Sequence, residues 1–138
     1  MDDLKHLKAG ESPYKDRVDP GLLDSFANPR PRRPYEIRFS TREVTSLCPV
    51  TGQPDFYAVA ISYVPGERCI ESKSLKLYLF SFRNAGLFAE EMANRILEDL
   101  VAACEPDWMR VVCRMSPRGG IGLTVCAEHG QRPAGSPS

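Results

Sequence analysis

The chain predicts an α+β fold, an antiparallel sheet in the order ββααββ with two helices on one face. Three observations carry that expectation. Apolar residues alternate with polar ones in two runs before residue 65, a stripe at steps of four runs through the middle, and alternation returns after Pro106.

Residues 1–34 are polar and punctuated by proline. They end in Asn28-Pro29-Arg30-Pro31-Arg32-Arg33-Pro34, which cannot continue a helix and offers little to bury. We expect an extended N-terminal arm, its basic cluster a solvated linker. From Tyr35, Ile37 and Phe39 alternate with Glu36, Arg38 and Ser40, and Val44 follows, as in a strand with one buried face. Phe56 to Val64 alternates likewise, and the two strands should pair antiparallel. Between them, Cys48 to Asp55 holds two prolines and a glycine and reads as a structured connection. Pro65-Gly66 closes the unit. A helix is expected from Ser72 to about Arg83, with Leu75, Leu79 and Phe82 on its apolar stripe and Ser72 available as its cap.

Asn84-Ala85-Gly86 ends that helix. A second, from about Leu87 to Cys104, carries Phe88, Met92, Ile96, Leu100 and Cys104 on one face. Met109, Val111, Cys113 and Met115 then alternate with arginines and Val112, and Ser116 to Gly120 turns the chain into a last strand, Ile121 to Ala127. The domain is expected to span 35–128, with a polar tail at 129–138. A sheet covered on one face only must find cover for the other, so neighbouring subunits closing a barrel are a structural expectation.

Composition narrows the function. At 138 residues there is room for one core and none for a separate nucleotide-binding domain. Eighteen basic residues balance eighteen acidic ones, so no overall field favours a nucleic-acid backbone, and a small-molecule partner is expected. The charged N-terminus lacks an apolar export segment and no stretch suits a membrane span. Five scattered cysteines, an odd number, read as reduced thiols in a cytoplasmic protein. Without a CxxC pair or a histidine cluster, no metal is expected.

Cys48 stands apart from the other cysteines because it lies in a polar, proline-bounded loop with Asp55 seven residues on. A thiolate attacks electrophilic carbon, and a nearby carboxyl can take and return the proton. Taken alone, a cysteine and an aspartate in one loop are also compatible with a buried filler and a solvated acid.

Residues 45–63, TSLCPVTGQPDFYAVAISY, followed by Glu71-Ser72-Lys73-Ser74-Leu75-Lys76-Leu77-Tyr78, resemble the short, single-module QueF nitrile reductases. The resemblance continues through Ser81-Phe82-Arg83-Asn84 and Pro117-Arg118-Gly119-Gly120. It implies a tunnelling fold, in which ββααββ units close a barrel, and a homo-oligomer, often a decamer of two stacked pentamers with sites at subunit contacts. It implies that Cys48 adds to the nitrile carbon of 7-cyano-7-deazaguanine to give a thioimidate, that Asp55 handles protons, and that NADPH reduces the adduct to the amine for queuosine synthesis. Glu90 would grip the N–H edge of the deazaguanine ring, Phe88 would wall the pocket and Glu71 would face the same site.

No glycine fingerprint of a dinucleotide-binding fold is present, so NADPH must be held otherwise. Ser72, Lys73 and Lys76 open a helix whose free N–H groups and dipole favour phosphate, and Arg118 beside two glycines can add a planar fork. Charge alone would leave these as a solvated basic face; the resemblance assigns them to the cofactor. The family commonly has histidine between the phenylalanine and glutamate of this motif, where this chain has Ala89, which would leave space for water and remove a proton carrier. A related amidinotransferase, or a deazapurine-binding homologue without catalysis, are the competing readings.

Overall fold

The structure is a computed structural model that describes residues 17–135. The first half of the expected arm and the end of the tail lie outside the described residues. The elements are a 3-10 turn at Pro20–Leu22, β1 (Ser25–Ala27), β2 (Ile37–Leu47), β3 (Pro54–Val64), β4 (Arg68–Ile70), α1 (Ser72–Phe80), α2 (Ala89–Cys104), β5 (Trp108–Arg118) and β6 (Ile121–Gly130). The four long strands form one antiparallel sheet in the order β2-β3-β5-β6. The expected ββααββ core is therefore present.

Residues 17–34 differ from the solvated arm expected. Val18, Leu22 and Leu23 pack against the core, and β1 pairs antiparallel with β4. The Asp24 N–H donates to Ser74 Oγ at 2.9 Å and the Glu71 N–H to the Asp24 carbonyl at 2.9 Å, which straps this segment to the start of α1. Asn28 is buried, its amide donating to the Gly66 carbonyl at 2.7 Å while its Oδ1 accepts from the Tyr35 hydroxyl at 2.6 Å. Each polar group here meets a partner, which is the condition for burying it. The tail also folds back: Arg132 stacks over Trp108 at 4.6 Å and pairs with Glu36.

Strand alternation puts Val44, Tyr57, Val59, Ile61, Tyr63, Met109, Val111 and Cys113 on the helix side, where all are buried. Both helical stripes join them. Leu75, Tyr78, Leu79 and Phe82 are buried from α1 and its C-terminal turn, and Met92, Ile96, Leu97, Leu100 and Cys104 from α2. The Tyr78 hydroxyl donates to Asp99 Oδ2 at 2.6 Å and ties the helices together. α1 ends at Phe80, three residues before the expected boundary, because the Ser81 hydroxyl turns back onto the Tyr78 carbonyl. α2 starts at Ala89 with Phe88 as its N-cap residue, so Phe88 leaves the core stripe and faces outward. The left-handed Glu105 and Pro106 stop it.

Among the described residues the opposite face of the sheet carries no helix. Ala58, Ala60 and Ser62 lie there between Arg38, Arg110 and Arg114, with Cys126 exposed on β6, so only Cys69, Cys104 and Cys113 are the buried fillers the sequence suggests. Among the described residues no helix is long and apolar enough to cross a membrane.

Candidate active site

The strands overrun their expected ends and bring the sheet up to the Cys48 loop. β2 reaches Leu47, β3 starts at Pro54, and β5 continues to Arg118. Proline is tolerated as the first residue of a strand because no ladder donor is lost there. Asp55 is thus a strand residue and not part of a loop. It pairs with Ser46 across the ladder and points inward beside the buried Tyr57.

Residues 48–53 close on themselves. The Cys48 N–H donates to the Gln53 carbonyl at 2.8 Å and the Gly52 N–H returns to the Cys48 carbonyl at 2.9 Å. Gly52 supplies the positive φ, +73°, that this return requires. The loop aims donors at the part-exposed sulfur. The Thr51 hydroxyl first, then the Thr51 and Val50 N–H groups, hold the Cys48 thiol down at about 7, with Arg118 a smaller contributor. Burial pushes Cys104 and Cys113 up to about 12, so the same side chain is inert in the core.

Arg118 reaches this cluster from the last position of β5. Its Nη2 is 3.0 Å from Asp55 Oδ1 and 3.4 Å from the Pro54 carbonyl oxygen. The contact with Oδ1 is a charge contact off the hydrogen-bonding axis, so that buried oxygen has no aligned hydrogen-bond donor among the described residues. The turn that follows is two residues long, with φ of +58° at Gly119 and +79° at Gly120, the signs a tight hairpin of the I′ type demands.

Phe88 comes to the same end of the sheet through the backbone. The Leu47 N–H donates to the Ala85 carbonyl at 2.9 Å and the Leu87 N–H to the Leu47 carbonyl at 3.1 Å, so the entry to α2 runs beside the residue preceding Cys48. Glu90 lies in the exposed first turn of α2. Ala89, by contrast, is 1% exposed and packs into the core.

The remaining site residues are arranged differently from expectation. Glu71, not Ser72, is the N-cap of α1: its carboxylate accepts from the Lys73 N–H at 2.7 Å and the Ser74 N–H at 2.8 Å, which holds its pKa below the usual carboxylate range. Two of the N–H groups expected to meet phosphate are therefore already taken. Ser72 and Lys76 line a cavity of about 740 Å3 between α1 and β2–β3, whose walls include Phe39, Val59, Ile61 and Leu79. That is the size and character of a small-molecule site. Lys73 is exposed beside it.

Cys48, Asp55, Phe88, Glu90 and Arg118 do not line this cavity. The start of α1 follows Ile70, whose N–H donates to the Tyr63 hydroxyl, and Tyr63 pairs with Ile37 at the far end of β2 from Leu47. Roughly 30 Å of strand separates those two ends at an ordinary rise per residue, although the cavity that Lys76 lines runs along β2 as far as Val44, three residues from Leu47. Within one chain the thiol cluster and the lysine-bearing helix end stand apart.

Sequence reasoning missed the support that Tyr57, Ser46 and Thr51 give the cluster. Strand alternation already aimed Tyr57 inward, and the donor spacing Cys48-Pro49-Val50-Thr51 was the legible signal for Thr51.

The QueF-like protein family model matches residues 54–134. A protein of Anaeromyxobacter sp. (strain K) described as an NADPH-dependent 7-cyano-7-deazaguanine reductase is 57% identical over 113 residues, covering 82% of this chain and 93% of that protein. One of Magnetococcus marinus with the same description is 50% identical over 118 residues, covering 86% of this chain and 92% of that protein. Among solved structures, the archaeosine synthase QueF-Like in its apo form superposes with a TM-score of 0.67 at 29% identity, over 74% of this chain and all of that one.

Proposed function

The chain belongs to the QueF family, and from that premise we propose that it is an NADPH-dependent reductase of the nitrile of 7-cyano-7-deazaguanine, acting through a Cys48 thioimidate in queuosine biosynthesis. The observation that carries this reading is the tuned Cys48 sulfur, held at about 7 by the loop donors and by Arg118, which also meets the buried Asp55 carboxylate at 3.0 Å. A nitrile is a poor hydride acceptor until sulfur adds to it. As the C–S bond forms, one C≡N π bond opens onto nitrogen, and the proton from Cys48 passes to Asp55 and on to that nitrogen. Charge and atoms balance without an external acid. Two NADPH would supply two hydrides: after the first adds to the thioimidate carbon the C–S bond breaks, returning the Cys48 sulfur and freeing the imine, and the second reduces that imine to the primary amine, with two protons taken up in all.

Ser72 and Lys76 on the cavity wall and Lys73 beside it suit the phosphates of NADPH, acting through side chains because Glu71 occupies the helix-end donors. Glu71 caps α1, and its carboxylate, fixed in place by the two helix-end N–H groups, is assigned to the substrate as well. Phe88 and Glu90, exposed at the entry to α2, are assigned to the ring and N–H edge of the deazaguanine. Because the thiol cluster and the lysines lie far apart within one chain, a complete site takes Cys48 from one subunit and Lys73 and Lys76 from another. Exposed apolar side chains support that contact: Val50 (80%), Ile121 (72%), Phe88 (56%) and Phe56 (53%) all sit at the Cys48 end of the sheet. A homodecamer of two stacked pentamers in the cytoplasm is the assembly we assign.

The test is NADPH oxidation in the presence of the nitrile with the product identified. Two NADPH consumed per amine formed, lost in Cys48→Ala, is the expected result. Incorporation of ammonia without NADPH oxidation would instead favour an amidinotransferase; the solved neighbour is described as an archaeosine synthase and not as a reductase.

A further inference from the structure

Residues 19–27 form a strap that is tied to α1 at both ends. The Asp19 N–H donates to Ser81 Oγ at 3.3 Å at the C-cap of the helix, and the Asp24 N–H donates to Ser74 Oγ at 2.9 Å in its first turn. The strap then continues as β1 beside β4, the strand that leads into α1, where Arg68 bonds both the hydroxyl and the carbonyl of Ser25 at 2.8 Å. Ser74, 4% exposed, is the centre of the attachment. Its hydroxyl accepts from Asp24 and donates to the Glu71 carbonyl at 2.8 Å, while its N–H donates to the Glu71 carboxylate at 2.8 Å. The Asp24 carbonyl accepts in turn from the Glu71 N–H at 2.9 Å. One buried hydroxyl therefore joins the strap to the residue that caps the helix.

We propose that Ser74 is a positioning residue for the reduction: by joining the strap to the first turn of α1, it holds the Glu71 carboxylate and the Lys73 and Lys76 ammonium groups where substrate and cofactor meet them. The inference rests on the assignment of those three residues to substrate and cofactor. Ser74 acts through the backbone. Ser72 and Lys76, four residues apart, share the cavity face of α1, and Ser74 lies about 200° round the helix from Ser72, buried against the strap. A nine-residue helix is marginal by itself, so tertiary ties decide where its first turn sits. A displacement of about 1 Å in a positioning group can cost on the order of 100-fold in rate.

The experiment uses the full chain. In Ser74→Ala the Asp24 amide loses its acceptor, and hydrogen exchange at Asp24, Glu71 and Lys73, followed with neither nitrile nor NADPH present, should quicken by roughly tenfold or more. In turnover, KM for NADPH and for the nitrile should each rise by about fivefold or more while kcat changes by less than about threefold. Asp24→Pro removes the same bond from the other side, and Leu23 already has the extended conformation that a following proline requires. It should raise both KM values likewise, and the double variant should be no worse than either single one. Leu100→Ala, which weakens the core away from α1, should leave both KM values within about twofold. Unchanged exchange at Asp24, unchanged KM values in Ser74→Ala, additive losses in the double variant, or an equal rise in Leu100→Ala would each overturn the proposal. Absence of NADPH oxidation in the unsubstituted protein, run beside the variants, would instead overturn the reading of the site on which it rests.

Discussion

Thr51, Val50 and Arg118 show how one sulfur among five comes to have a lowered pKa. The Thr51 hydroxyl and the loop N–H groups stabilise the thiolate, whereas desolvation in the core disfavours it at Cys104 and Cys113. Because the Cys48 pKa is lowered, its thiolate dominates above about pH 7 and is lost below it. Alkylation of Cys48 should therefore rise through that midpoint, Thr51→Val should shift it upward, and Cys104 and Cys113 should stay silent at neutral pH; mass mapping of labelled peptides checks this. At this scale the sequence was legible where a chemically distinctive residue sits in a distinctive loop, as Cys48 does. It was not legible where a partner is remote. Arg118 follows Asp55 by 63 positions, and only the ladder of β3 with β5 brings them together. Ser72 was misjudged as the cap of α1 because a carboxylate one position earlier reaches the same N–H groups.

Among the elements, the long periodic ones were readable and the short or cooperative ones were not. The α2 stripe at steps of four is the buried face from Met92 to Cys104, since residues at that spacing share a helix face. Its first expected member, Phe88, failed because the helix begins only where the backbone bridge to Leu47 ends. β1, three residues long, exists by virtue of β4 and has no periodicity of its own to detect. Strand ends ran past their expected limits because pairing with a neighbour, not composition, decides where a ladder stops. Leu100→Ala, at a fully buried position of α2, should cost about 3 kcal/mol in urea unfolding. The cap on α1 gives a pH signature. Glu71 has a lowered pKa in the folded chain, so its contribution is complete above the unfolded carboxylate value and disappears as pH falls through the folded one. Glu71→Ala should be less stable than the parent at neutral pH, and the deficit should shrink in acid; urea titrations at both conditions measure it.

For the whole molecule, the sequence foresaw a two-layer α+β unit with one uncovered face, and the structure has that face. It could not foresee that the thiol cluster and the lysine-bearing helix end would lie at opposite ends of one sheet, because that depends on register. That separation is the strongest argument for a shared site. Ile121→Asp, a change at a position exposed in the single chain, should leave the circular dichroism spectrum intact while dissociating the assembly and abolishing turnover. Sedimentation velocity beside the activity assay tests it, and an unchanged particle with full activity would contradict a contact there. The most direct test of the account is the intact mass of the protein after incubation with 7-cyano-7-deazaguanine in the absence of NADPH. The account predicts a gain of one nitrile per chain, located at Cys48 and absent from Cys48→Ala. An unchanged mass under conditions in which the nitrile binds, in a preparation that reduces it once NADPH is added, would contradict it.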